Sequence, residues 1–398
     1  MEIAAPKPTR LDVNAAQPPA ILLIASKDEP YGIRDDAGLQ LAFQRALGTE
    51  LSLRWCLWDD MPHNWREEQQ SLPVIRSLWE GRNAHGATAE LRKFLQSLAI
   101  AVPQLAADYE LILWIVHKRY LLQLARLGVP IVPTVLTRGE IKNAGDLKRE
   151  MEKLGWVEAV LKPACGTRCE GVLRLSIAEW SLRIAMEVAK LLRDSEGDCL
   201  LQPLLAPCRQ RQANGSSQPG DGSVNIEHWG EVCVLFINGK IVHAVHKTPS
   251  KWGWHRAHCP CSFLGEALAG AECECDSLGS TRGGGSGNIG SGTSSSATAK
   301  PDVAPVQQLP LPLPGTMEAA AMAAATALPR ADELMLFRVD LLPRFSASGR
   351  IEWLVSEVEG QWCECFLRGG AEEADTIAAA VMERHAKYRN KRKRKRSL

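Results

Sequence analysis

The first third of the chain alternates short apolar runs with amphipathic, helix-like segments. The apolar runs that predict β-strands lie at residues 20–25, 51–57, 73–76 and 109–116. Segments with apolar residues at helical spacing lie at residues 35–47 and 87–98. Strands that alternate with helices form mostly parallel sheets, so we predict an N-terminal α/β domain over residues 20–108.

The pattern continues through the middle of the chain. Further helices are predicted over residues 118–127, 139–154, 180–191 and 372–387, and further strands over residues 159–162, 171–175, 199–205, 334–342 and 351–355. We assign residues 109–198 to a small lobe and residues 199–388 to a larger C-terminal lobe. The larger lobe contains a β-hairpin, because residues 231–237 and 240–246 flank Asn238-Gly239, a dipeptide that accepts positive φ.

Four segments are predicted to lie outside the folded units. Residues 269–314 are rich in Gly, Ser, Thr and Pro, and cannot bury enough apolar surface to offset the entropy of ordering. We therefore predict a disordered insertion there, and a mobile polar insertion over residues 210–223. Residues 1–19 are predicted to be a disordered leader, and residues 389–398 a basic tail.

Composition sets limits on function. Of the 398 residues, 45% are hydrophobic, and 47 Lys and Arg balance 46 Asp and Glu. This balance indicates neither a membrane partner nor a nucleic-acid partner. No apolar run reaches the length of a membrane span, and the N-terminus lacks the apolar stretch of a secretory signal. We expect a cytoplasmic protein, although the leader leaves organelle targeting open and residues 391–396 leave nuclear import open.

Twelve cysteines raise the question of a zinc site or of disulfides. Three Cys-x-Cys pairs lie at residues 259/261, 273/275 and 363/365. Structural zinc sites normally use Cys pairs separated by two to four residues, which none of these pairs has. We therefore interpret most of the cysteines as reduced thiols in a reducing compartment.

Charged residues recur at the ends of the strand-like runs in a fixed order. They are Lys118, Lys162, Glu231, Lys247, Arg338 with Asp340, and Glu357 with Glu359. Each one alone is typical of a solvated strand end. In this order, lysines followed by paired carboxylates are what a nucleoside triphosphate with Mg2+ requires. The carboxylates would repel one another unless a cation bridges them.

Residues 163–171 connect two predicted strands and contain small residues with two glycines. Glycines let backbone NH groups approach phosphate oxygens, so this loop could close over a triphosphate. An ordinary turn is the alternative interpretation. The loop is not a Walker motif, because no Gly-Lys-Ser/Thr follows.

The segments that carry these charges resemble, in order, the ATP-grasp ligases of the glutathione-synthetase-like group, and most of all their cycloserine-biosynthesis type. The matching segments are residues 118–134, 160–163, 201–204, 230–231, 236–247, 336–340 and 357–359, and residues 75–79 are similar to the N-terminal pattern of the group. The resemblance implies an α/β pre-ATP-grasp domain followed by a two-lobed α+β ATP-grasp fold.

The resemblance also implies roles for individual residues. Phosphates would be bound by Lys118, Lys162, Gly166 and Thr167, and adenine would lie against Gln202, Pro203 and Leu204. Glu231 would reach the ribose or a polar neighbour, and Lys247 a phosphate. Arg338 would stabilise the transferred phosphoryl group or the tetrahedral intermediate. Asp340, Glu357 and Glu359 would hold Mg2+, with Mn2+ as an alternative.

The reaction implied is amide formation between a small carboxylic acid and an amine, driven by ATP through an acyl phosphate. The alternative hypothesis is a catalytically weak ATP-binding scaffold that keeps the fold and binds partners through its insertions. The sequence leaves both substrates and the oligomeric state open.

Overall fold

The computed structural model describes most of the chain between residues 20 and 396. The described residues are 20–25, 36–47, 52–58, 71–78, 82–83, 86–166, 171–205, 208–209, 228–247, 306–309, 311–345, 350–363, 365 and 371–396. Thr167, the leader, the polar insertion at 210–223 and residues 269–305 lie outside this set, so the predictions made for them stay predictions.

A parallel three-stranded sheet forms the N-terminal unit, as predicted. Its elements are β1 (Ala20–Ala25), α1 (Asp36–Leu47), β2 (Ser52–Leu57) and β3 (Leu72–Ile75), followed by short strands β4 (Arg82–Asn83) and β5 (Gly86–Ala87), then α2 (Ala89–Ala101). The strand order is β2-β1-β3. Strand β1 is buried from Ile21 to Ala25 because it lies in the centre of the sheet.

The prediction of a strand over residues 109–116 is wrong. These residues belong to helix α3 (Ala106–Ile115), which is followed by α4 (Tyr120–Arg126). Most of α3 is buried, so its sequence is apolar on nearly every side. A short apolar run without helical periodicity cannot be distinguished from a buried strand by its pattern.

We find no single described helix that is long and apolar enough to span a membrane. Among the described residues, α2 and residues Pro103–Ile115 together have the length and apolar composition of a span, but the two are bent by 117°.

An antiparallel four-stranded sheet with its own core forms the middle of the structure. Its elements are β6 (Val135–Leu136), α5 (Ala144–Lys153), β7 (Glu158–Pro163), β8 (Leu173–Ser176), α6 (Leu182–Asp194) and β9 (Cys199–Pro203). The strand order is β6-β9-β7-β8. Strand β9 pairs with β7, so this sheet crosses the division that we placed between residues 198 and 199.

An antiparallel five-stranded sheet follows a two-stranded ribbon of β10 (Cys208–Arg209) and β11 (His228–Trp229). The sheet contains β12 (Glu231–Ile237), β13 (Lys240–Lys247), β14 (Val306–Gln308), β15 (Leu336–Phe345) and β16 (Ile351–Glu359), in the order β14-β13-β12-β15-β16. The predicted hairpin is confirmed, with φ of 49° at Asn238 and 75° at Gly239. On one face of the sheet, Phe236 and Phe337 stack with ring centroids 4.7 Å apart.

Two helices complete the structure, α7 (Gly315–Ala327) and α8 (Ala371–Arg396). Helix α7 packs against β15 and β16 and was not predicted, because its alanine-rich sequence lacks a polar face that would mark a helical period. Helix α8 runs nine residues past its predicted end at 387 and includes residues 391–396, which we had assigned to a tail. Strand β14 likewise lies within residues 269–314, where we had predicted disorder.

A buried carboxylate joins α3 to the start of β15. Asp108 Oδ1 accepts hydrogen bonds from the backbone nitrogens of Met335 at 3.0 Å and Leu336 at 3.2 Å. Its other oxygen lies 3.9 Å from Nη1 of Arg384. Burial raises the pKa of Asp108 to about 6, although Arg384 and the two backbone bonds act in the opposite direction.

We predict that Asp108 makes stability depend on pH. Between its ordinary pKa of 3.8 and its folded pKa of about 6, the native state binds more protons than the unfolded state. The free energy of unfolding should therefore fall as pH rises through this range, by at most about 3 kcal/mol. Asp108→Asn should remove this dependence, as measured by urea unfolding at several pH values.

Asp375→Asn is a matched control, since Asp375 forms an exposed ion pair with Arg45. Its pH profile should follow that of the unmodified protein. Parallel profiles for Asp108→Asn and the unmodified protein would contradict the prediction.

Candidate active site

One face of the five-stranded sheet carries the charged residues that the sequence analysis singled out. Successive side chains of a strand point to opposite faces, so residues two apart share a face. The register pairs Glu231 with Lys247, Asp340 with Cys233 and Glu357, and Arg338 with Glu359. The two carboxylate-bearing strands are therefore adjacent.

A single guanidinium lies between two carboxylates at the centre of this face. Nε of Arg338 lies 2.7 Å from Oδ1 of Asp340, and Nη2 lies 2.8 Å from Oδ2. The same Nη2 lies 3.1 Å from Oε2 of Glu359. The side chains of Arg338 and Asp340 are buried, so water screens their attraction only weakly.

Lys118 brings the turn between α3 and α4 to the same face. Its backbone nitrogen donates to the Ala164 carbonyl at 2.8 Å, and its Nζ donates to the Gly166 carbonyl at 2.9 Å. Nζ also lies 3.2 Å from Oε1 of Glu357. One lysine thus contacts both the loop after β7 and the Glu357 carboxylate on β16.

A second ion pair lies on the neighbouring strands. Lys247 Nζ donates to Oε2 of Glu231 at 2.9 Å, and both side chains are buried. Ser356 connects this pair to the first, because its hydroxyl lies 3.1 Å from the carbonyl oxygen of Asp340 and 3.4 Å from Oε1 of Glu231. Ser356 occupies this position at a β-bulge, where the register shifts between Asp340 and Leu341.

The two glutamates of β16 have opposite pKa shifts. Burial alone would raise the pKa of Glu357, but Lys118 and Lys162 lower it below its ordinary value. Burial raises the pKa of Glu359 to about 7, and the negative charges of Asp340 and Glu357 add to this effect against the attraction of Arg338. At Glu359, the attraction of Arg338 therefore does not offset burial and the repulsion by the neighbouring carboxylates. A hard divalent cation bound by Asp340, Glu357 and Glu359 would reduce the repulsion among these three carboxylates.

Buried hydrogen bonds hold the elements that carry these residues. His117 Nε2 lies 3.0 Å from Oδ2 of Asp198, and the Asp198 carbonyl accepts from Ala164 N at 2.9 Å. The Tyr120 hydroxyl accepts from Val358 N at 2.7 Å, and Val358 lies between the two glutamates of β16. The turn before α4 is therefore fixed to both sheets.

The structure brings most of the predicted site residues together. Lys118, Gly166, Glu231, Lys247, Arg338, Asp340, Glu357 and Glu359 are connected by the contacts above, and Lys162 is close enough to lower the pKa of Glu357. Gln202, Pro203 and Leu204 lie on or next to β9 in the other sheet, where Gln202 Nε2 donates to Oγ1 of Thr134 at 2.9 Å. Their role against adenine stays a prediction.

The sequence analysis missed Ser356, which connects the two ion pairs, and three further residues of the site. Cys233 shares the face of Glu231, and the two-residue spacing of a strand could have revealed it. The contact of His117 with Asp198 spans 81 positions of the chain, and no local pattern signals it. Tyr120 was treated only as part of a helix, because its hydroxyl partner lies 238 positions away.

The fold of the described residues is similar to that of solved ATP-grasp ligases. The crystal structure of the D-cycloserine synthetase DcsG is similar, with a TM-score of 0.59 and 20% identity over 92% of this chain and 99% of that chain. The D-alanine–D-alanine ligase of Bacillus anthracis has a TM-score of 0.51 and 12% identity, over 94% of this chain and 99% of that chain. The resemblance inferred from the sequence is confirmed at the level of the fold.

A curated relative matches in sequence as well. The cycloserine biosynthesis protein DcsG of Streptomyces lavendulae is 28% identical over 195 residues, which are 48% of this chain. This match spans 56% of the length of the relative. No family model matches the chain.

We predict that Tyr120→Phe destabilises the protein by about 1–3 kcal/mol, because it leaves the buried Val358 nitrogen without its acceptor. Urea unfolding measures the loss, and hydrogen exchange should show faster exchange at the Val358 amide. Tyr109→Phe is the matched control, since the Tyr109 hydroxyl donates to the carbonyl of Pro73. Tyr109→Phe should lower the free energy of unfolding without a local change at the Val358 amide. Equal hydrogen-exchange rates of this amide in the two variants would contradict the prediction.

Proposed function

We propose that the protein is an ATP- and Mg2+-dependent carboxylate–amine ligase that acts through an acyl phosphate. The observation that carries this proposal is the pairing on the charged face. Each carboxylate suited to a metal is held by a cation suited to a phosphate, as in Lys118 with Glu357 and Arg338 with Asp340 and Glu359. If a metal–triphosphate complex binds, the carboxylates can bind the metal while their cations bind the phosphates.

In this proposal, different residues of the charged face bind the two parts of such a complex. Lys118 and Lys162 are point charges for phosphate oxygens, and Gly166 lies in the loop that Lys118 contacts. Asp340, Glu357 and Glu359 would hold Mg2+, which when bound neutralises phosphate charge and orients the triphosphate. The nucleotide base would lie against Gln202, Pro203 and Leu204, at the end of β9 in the four-stranded sheet.

The reaction requires two transfers. An oxygen of the substrate carboxylate attacks the γ-phosphorus of ATP, and the bond to ADP breaks. The amine nitrogen then attacks the acyl carbon, phosphate leaves, and the nitrogen loses a proton to give the amide. Arg338 and Lys247 would stabilise the negative charge that develops, since both are buried cations already oriented on the face. Burial would lower the pKa of Lys247, but the negative charge of Glu231 raises it, so the amine stays protonated.

The names of the relatives suggest a substrate class. One is a D-cycloserine synthetase and another joins two D-alanines, so we propose a small, amino-acid-like acid and a small amine. The test is release of ADP and phosphate by the purified protein with Mg2+ and ATP, across a panel of amino acids and small amines. Release that requires one acid and one amine supports the ligase. Nucleotide binding without turnover on any pair would favour a scaffold instead.

We predict that Glu357→Gln lowers turnover by roughly 100-fold or more, because it removes a metal ligand and the partner of Lys118. Steady-state rates at several Mg2+ concentrations measure the loss. Glu352→Gln is the matched control on the same strand, since Glu352 forms an exposed pair with Arg344 at 2.6 Å. It should change the rate by less than about twofold; equal losses in both variants would contradict the assignment.

A further inference from the structure

A buried thiol lies in the middle of the charged face and has no part in the proposed reaction. Cys233 is 1% exposed and stands opposite Asp340 in the register of β12 and β15. Among the described residues, none forms a hydrogen bond with its sulfur, whereas the neighbouring carboxylates of Glu231 and Asp340 are hydrogen-bonded. The thiol is therefore a buried group that lies beside two carboxylates and their cations without a hydrogen bond of its own.

The sulfur belongs to a compact set of ligand atoms. One atom each of Glu231, Cys233 and Asp340 lie within 4.8 Å of one another, and all three residues are buried. Tetrahedral zinc with one sulfur and two oxygen ligands places these atoms roughly 3.3–3.7 Å apart. Small side-chain rotations would therefore bring the three atoms to bonding distance around one ion.

The chemistry of this set differs from that of the predicted magnesium ligands. Asp340, Glu357 and Glu359 offer only hard oxygens, which suit Mg2+. A thiolate with two carboxylates suits a softer divalent cation such as Zn2+ or Cd2+. Lys247 and Arg338 already bind the two carboxylates, but a carboxylate oxygen has a second lone pair with which it can bind a metal.

We infer that Glu231, Cys233 and Asp340 form a second cation site, which takes soft divalent metals and overlaps the magnesium ligands at Asp340. Binding would release the thiol proton to solvent as the sulfur–metal bond forms. The site itself does not depend on the proposed function. Its consequence does: a soft cation that occupies Asp340 would compete with Mg2+ and inhibit the enzyme.

Direct binding of Cd2+ tests the site without any activity measurement. The sulfur-to-cadmium absorption in the ultraviolet is titrated in the full chain under reducing conditions, without nucleotide. Since the chain has 12 cysteines, the readout is the difference between variants. The unmodified protein should bind one more equivalent of Cd2+ than Cys233→Ser or Cys233→Ala, whose folding is checked by thermal unfolding.

Cys199→Ala is the matched control, because Cys199 is also buried and free but lies on β9 in the other sheet. It should keep the same stoichiometry as the unmodified protein. Equal stoichiometry in all variants would overturn the inference.

A second measurement concerns the consequence for activity. Zn2+ should inhibit ATP turnover, more Mg2+ should relieve the inhibition, and Cys233→Ser should weaken it by about tenfold or more. Zinc inhibition that is unchanged in Cys233→Ser would contradict the site. If no substrate pair supports turnover, the proposed function fails while the cadmium titration still decides the inference.

Discussion

The structure depends on the pairing of opposite charges on one face of the five-stranded sheet. Most of these side chains are buried, while Glu357 and Glu359 are half-buried. A buried charge is costly unless it is paired, and here every carboxylate of the face has a cation within 3.2 Å. Arg338 is the critical member, because it satisfies both oxygens of Asp340 and also contacts Glu359. The remaining imbalance appears at Glu359, whose pKa rises to about 7.

This constraint connects distant parts of the chain. Lys118 comes from the turn after α3, Gly166 from the loop after β7, and Glu357 from β16, and one ammonium group contacts both of the latter. The contacts of Tyr120 with Val358 and of His117 with Asp198 hold the same turn on both sides. A ligand that takes Lys118 away from Glu357 would therefore change the contact between the two sheets as well as the local charge.

Much of this arrangement was visible in the sequence. The alternation of Arg338 with Asp340 and of Glu357 with Glu359 predicted shared faces, and Asn238-Gly239 predicted the hairpin that sets the register of β12 and β13. The meeting of Asp340 with Glu357 could not be predicted, since it depends on pairing between strands. Helix α3 was predicted to be a strand because it is buried on nearly every side, so its apolar residues show no helical spacing. The pairing of β9 with β7 was not predicted, because a helix separates the two strands in the chain.

The central claim is that Lys118 exchanges its partner, from Glu357 in the free protein to a phosphate of bound ATP. The affinity for ATP in the absence of metal tests this exchange most directly. If Glu357 holds Lys118 in the absence of ligand, Glu357→Gln should bind ATP more tightly in a chelator, by roughly fivefold or about 1 kcal/mol. The gain should disappear in a Lys118→Met background, because the double-mutant cycle isolates the pair. An unchanged or weaker affinity in Glu357→Gln, or a gain that persists without Lys118, would contradict the account.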